Sequence, residues 1–117
     1  MPKKVLIIDD DPHIQKYLES IFKDNGYVAV VASTGDEGYE LLIKEKPDLI
    51  TLDLDMPEGA GPSVYMRMRK EPELEKIPVV VISGLEGAHR AVKKAVATIG
   101  KPFDPESLIK LVKNTIG

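Results

Sequence analysis

Three short stretches of this chain are apolar almost from end to end: VLII at 5–8, LITL at 49–52 and VVVI at 79–82. None alternates polar with apolar, as a strand with one wet face does. Short continuous runs of branched residues mark strands buried on both faces, the condition of a parallel sheet packed between helices. A further candidate is VAVVA at 28–32, and a weaker, shorter one is ATIG at 97–100.

Helical patterns fill the gaps. Ile14, Leu18, Ile21 and Phe22 recur at helical spacing after Asp11-Pro12. Asp11 suits the N-cap and Pro12 the first helical position, and Asn25-Gly26 supplies a stop. Thr34-Gly35 opens a second helix carrying Tyr39, Leu41, Leu42 and Ile43. A third starts near Gly61-Pro62 with Val64, Met66 and Met68, and a fourth spans about Gly87 to Ala95. A last one follows Asp104-Pro105 with Leu108, Ile109, Leu111 and Val112. Five βα units in alternation predict an α/β fold with helices on both faces of a parallel sheet and right-handed crossovers. At 117 residues the expectation is one domain over 1–117.

Composition narrows the functions. Zero cysteines exclude disulfides, thiolate metal sites and cysteine nucleophiles. Two histidines, His13 and His89, do not make a typical transition-metal site alone. A net charge of −3 gives no electrostatic case for nucleic-acid binding by this chain. No apolar run approaches the ~20 residues of a membrane span, and the opening MPKKV carries no signal-peptide pattern. A cytoplasmic location is the expectation.

In an open parallel sheet the chemistry sits at the carboxyl ends of the strands. There the sequence offers Asp9-Asp10-Asp11 after the first strand, and Asp53 and Asp55 at the end of the third. Ser83-Gly84 follows the fourth strand and Lys101-Pro102-Phe103 the fifth. Taken in the strand order 2-1-3-4-5, several carboxylates, one hydroxyl and one ammonium converge. Clustered carboxylates repel unless a cation sits among them, and an all-oxygen site suits a hard divalent ion, with magnesium usual for phosphate chemistry. A carboxylate beside that ion can attack phosphorus and form an acyl phosphate. The cation, an ammonium and hydroxyl or backbone donors would stabilise the phosphoryl oxygens. The sequence has no P-loop, so the phosphoryl donor must come from elsewhere.

Four motifs in order, 8–12 (IDDDP), 53–57 (DLDMP), 82–84 (ISG) and 101–103 (KPF), resemble the receiver domain of two-component response regulators, in the layout of the single-domain chemotaxis regulators. The resemblance implies a flavodoxin-like three-layer α/β/α sandwich with a five-stranded parallel sheet in order 2-1-3-4-5. It implies Asp53 as phosphoacceptor, Asp9 and Asp10 as the acidic pair for Mg2+, and the backbone carbonyl of Asp55 completing that site. Ser83 would bind the phosphoryl group and Lys101 would pair with it, across a cis Lys101-Pro102 bond. The implied partners are a sensor histidine kinase or phosphotransfer protein and a downstream protein or output domain, with room for a homodimer. Ile14 and Tyr17, with Pro102 and Phe103 opposite, would form a kinase-docking edge, or else Ile14 and Phe103 simply pack in the core. Asp11 serves as a helix cap, and His13 and His89 as solvated side chains.

The chain departs from the family in places. Thr98 stands where an aromatic switch residue is usual, and the segment from Ser83 to Lys101 is several residues short. A shortened or displaced fourth helix and a reduced fifth strand are expected. Asp55 and Leu85 occupy the positions that tune dephosphorylation in relatives. Two other readings compete. One is a phosphatase of the haloacid dehalogenase type, whose Asp-x-Asp motif 53–55 mimics, although Met56-Pro57 follows it and the chain has no space for a cap domain. The other is a receiver-like binding module that no longer uses phosphate.

Overall fold

The structure is a computed structural model that describes residues 2–56, 60–83, 97–100 and 103–117. Its elements follow the predicted runs, with one further short helix before the fourth strand. They are β1 Lys4–Ile8, α1 Pro12–Asp24, β2 Val28–Ala32, α2 Gly35–Glu45, β3 Leu49–Asp53, α3 Ala60–Met68, α4 Pro72–Glu75, β4 Val79–Ser83, β5 Ala97–Gly100 and α5 Pro105–Ile116. All five strands pair in parallel, in the order β2-β1-β3-β4-β5. β1 lies between β2 and β3, pairing Ile8 with Ala32 on one side and with Leu52 on the other. Asp53 stands opposite Ile82, and Ser83 opposite Gly100. The fold is thus flavodoxin-like. The expected helix near Gly87 to Ala95 and the Lys101-Pro102 bond lie outside the described residues.

Strand alternation divides the core in two. Val5, Ile7, Leu49, Val80 and Ile82 pack with Leu18, Ile21 and Phe22 of α1 and Leu108, Ile109 and Val112 of α5. Leu6, Ile8, Ile50, Leu52, Val79 and Val81 pack with Leu42 of α2 and Val64, Tyr65 and Met68 of α3. Each strand residue therefore has a dry neighbour whichever way it points, which is why β1, β3 and β4 carry no polar alternation. β2, at the sheet edge, is half-buried, with Val28 exposed.

Local chemistry sets the helix ends. Asp11 caps α1 by accepting from the His13 amide at 2.9 Å, with Pro12 next in line. The other end closes in a Schellman motif. Gly26, at φ 86°, donates to the Lys23 carbonyl, and the Tyr27 amide donates to that of Phe22. The Tyr27 ring meets Phe22 edge-on at 6.0 Å, the apolar contact that accompanies this motif. Asp104 and Pro105 repeat the cap at α5, where the Asp104 carboxylate accepts from the Glu106 amide and the Ser107 hydroxyl.

Candidate functional site

Two aspartates end adjacent strands in the same way. Asp9 follows β1, and its carboxylate accepts from the Asp11 amide at 2.9 Å. Asp53 closes β3, and its carboxylate accepts from the Asp55 amide, also at 2.9 Å. In each case a side chain folds back on the backbone two residues on, which fixes its direction and makes the chain turn. Both aspartates are buried. Asp10, beside them, is exposed.

Because β1 and β3 are neighbours, these side chains converge. One carboxylate oxygen from each of Asp9, Asp10 and Asp53 lies within 4.8 Å of the other two. Left uncompensated, the buried pair at such a range would repel by roughly 3 kcal/mol at an effective dielectric near 20. The donor set fits a divalent cation. All three donors are oxygens, as a hard ion demands, and ligands on opposite sides of magnesium stand about 4.2 Å apart. Asp10, open to water, leaves room for the water ligands that magnesium retains.

α3 begins against this site. A Cβ built on Gly61 would collide with the backbone oxygen of Asp53 and stand 3.0 Å from the Cα of Leu54. Only glycine allows α3 to start so close to the end of β3.

The whole core of the chain, residues 5–113, matches the family model of the response regulator receiver domain. The chain belongs to that family. The receiver domain is 37% identical to Protein Rrf1 of Nitratidesulfovibrio vulgaris, over 99% of this chain and 84% of that one. It superposes on the chemotaxis protein CheY4 of Vibrio cholerae with a TM-score of 0.88 and 25% identity, covering 98% of this chain and 99% of the other. It shares its fold with the receiver domain of the sensor histidine kinase PA1611 from Pseudomonas aeruginosa. That match has a TM-score of 0.90 at 20% identity, over 100% and 99% of the two chains, and the PA1611 domain holds a magnesium ion in its active site cleft. Receiver domains are signalling domains.

Of the residues singled out from sequence, the receiver fold brings Asp9, Asp10 and Asp53 together. The Asp55 carboxylate is exposed and outside that triad, while its amide holds Asp53. Ser83 ends β4, two strands over from β1. Lys101 lies outside the described residues. Phe103 is partly buried against the α1–α5 core, as is Ile14, and its ring sits 5.8 Å from that of Tyr17, which is 47% exposed. No described helix is long and apolar enough to cross a membrane. Two site-building residues escaped the sequence reading. One is Gly61, read only as a helix start. The other is Gln15, whose amide nitrogen donates to the Asp9 carbonyl oxygen.

Proposed function

We propose that this chain is a single receiver domain over 1–117 and that Asp53 is its phosphoacceptor in a two-component phosphorelay. The observation that carries the reading is the buried Asp53 carboxylate, turned by the Asp55 amide into a triad with Asp9 and Asp10. One Asp53 oxygen attacks the phosphorus of a phosphohistidine on a partner histidine kinase or phosphotransfer protein. The P–N bond breaks, the histidine takes up a proton, and an acyl phosphate forms. Water later cleaves it to carboxylate and phosphate. The domain turns over no other substrate, so it is a switch rather than an enzyme in its own right.

Asp9, Asp10 and Asp53, with the backbone carbonyl of Asp55, would hold Mg2+. The ion supplies charge neutralisation for the phosphoryl oxygens. Ser83 would donate to the phosphoryl group and Lys101 would pair with it. The magnesium site of the PA1611 domain, on the same fold, supports this assignment. Occupancy of Asp53 shifts a conformational equilibrium that a downstream protein, an output domain or a second copy reads. Such a domain works in the cytoplasm, and its net charge of −3 argues against nucleic-acid contact of its own.

The test is labelling with acetyl phosphate and magnesium, followed by intact mass. One phosphoryl group per chain is expected, lost with Asp53→Asn and with chelator. Turnover of a generic phosphate ester without stable labelling would favour the dehalogenase-type reading. No labelling at all would favour the phosphate-independent one.

A further inference from the structure

Gln15 closes the first turn of α1, its backbone amide bonded to the Asp11 carbonyl at 3.0 Å. Helical side chains lean toward the helix N-terminus, and Gln15 leans back over the β1–α1 turn. Its side-chain nitrogen donates to two acceptors: the backbone oxygen of Asp9 and, at 2.9 Å, the hydroxyl oxygen of Ser33. A carbonyl oxygen can only accept, so the nitrogen end of the amide must face it. Both hydrogens of that nitrogen are then used.

These contacts complete a frame around Asp9. Its carboxylate is held by the Asp11 amide, its own amide donates to the Ala32 carbonyl at 3.1 Å, and its carbonyl is held by Gln15. The frame continues outward. The Ser33 amide donates to the Glu37 carboxylate at 2.7 Å, and the Glu37 amide donates to the Thr34 hydroxyl at 3.1 Å, capping α2. One glutamine thus ties the turn that carries Asp9 and Asp10 to the loop between β2 and α2.

We infer that Gln15 is a positioning residue for the divalent cation: it fixes the Asp9–Asp10 turn so that both carboxylates face Asp53. The inference rests on the metal assignment proposed above. Groups that orient metal ligands from behind commonly change affinity 10–100-fold when lost. Gln15 holds a ligand's backbone rather than its carboxylate, so a threefold to tenfold effect is expected.

The experiment uses Gln15→Met, similar in length and without donors. Gln15 is only half-buried, which favours a folded variant. Magnesium binding is measured by calorimetry, without any phosphoryl donor. Labelling by acetyl phosphate is measured across a magnesium titration. The variant should bind magnesium at least threefold more weakly and need correspondingly more to reach half-maximal labelling, with the maximal rate within twofold of wild type. A lower maximal rate at unchanged half-saturation, or a shift in affinity below threefold, overturns the inference. Ser33→Ala, which leaves the bond to Asp9 in place, should shift affinity less than Gln15→Met does. An equal or larger shift contradicts the assignment to the Asp9 carbonyl. If wild type binds no magnesium, the metal assignment falls and the inference with it. If wild type binds magnesium but Asp53 is not labelled, only the phosphoacceptor reading falls, because the calorimetric comparison still decides the role of Gln15.

Discussion

Thr51 sits mid-way along β3, 1% exposed, and its hydroxyl has no hydrogen-bond partner among the described residues. Its neighbours Ile50 and Leu52 face α2 and α3, so alternation turns Thr51 toward the α1–α5 core, among aliphatic side chains. An unpartnered buried hydroxyl costs about 1–3 kcal/mol, and valine has nearly the same shape. Thr51→Val is therefore expected to raise the urea midpoint by the equivalent of about 1 kcal/mol at unchanged slope. A lowered midpoint would mean that the hydroxyl has a partner after all. Tyr27 carries the opposite kind of polar tip, its hydroxyl donating to the Gly117 carbonyl at 3.3 Å. Burial pushes its pKa above the ordinary value of 10.0. The unfolded chain then loses this proton first as pH rises. The associated stability is fully present below pH ~10 and is lost as pH climbs through the folded value. Chemical denaturation from pH ~8 to ~11 should show a shallower alkaline decline for Tyr27→Phe than for wild type. At this scale the sequence displays Asp9 and Asp53, because each ends an unmistakable apolar run. It hides Gln15, because a polar residue in a surface helix looks solvated until the loop bearing Ser33 is placed beside it.

Two glycines show how much the neighbouring element decides. Gly38 lies in α2, where an added Cβ would meet the Cδ1 of Ile8 at 2.8 Å. That atom is the far end of a side chain, with Cγ1 and Cγ2 of the same isoleucine at 3.1 and 3.2 Å, and alanine's gain of about 1 kcal/mol of helix propensity over glycine offsets the small shift they require. Gly38→Ala should leave stability within about 1 kcal/mol of wild type. Gly61 lies in α3, where the same methyl would strike the backbone of Asp53 and Leu54. Backbone cannot turn aside, so Gly61→Ala should cost about 2 kcal/mol or more. It should also slow labelling of Asp53, since relief requires moving the end of β3. Equal stabilities for the two variants, by urea denaturation, would refute the distinction. The sequence shows each glycine but not what stands opposite it, and that knowledge needs the packing of α3 on β3. The caps are another matter. Asp11-Pro12, Asn25-Gly26, Thr34 and Asp104-Pro105 all act locally, and all are visible as read. The short α4 is not, since four residues cannot display a helical period and PELE resembles a solvated turn.

For the whole molecule, the strand runs dictate a parallel sheet but not which strands adjoin. That order came from the resemblance, and on it depends whether Asp9 and Asp53 meet at all. With β1 and β3 paired, the fold sets one oxygen from each of three carboxylates within 4.8 Å of the others, so a cation bound among them would add to the molecule's stability. Metal-free, a third carboxylate added beside Asp9 and Asp53 meets like charges that it does not meet in the unfolded chain. With magnesium, ligand binding to the native state alone adds about 1.4 kcal/mol at tenfold excess over Kd, several degrees of Tm for a domain of this size. Asp10→Asn removes one charge and one ligand together while leaving the buried Asp9 and Asp53 in place. In chelator the variant should therefore melt above wild type. In saturating magnesium the order should reverse, because wild type gains from binding and the variant gains less. Thermal melts of both proteins, with and without magnesium, give the four midpoints needed. If the variant melted below wild type under both conditions by the same margin, Asp10 would be acting through packing or local backbone contacts, and the triad would not be the seat of the cation. A crossing of the order requires that the same carboxylate be a liability without the ion and a ligand with it.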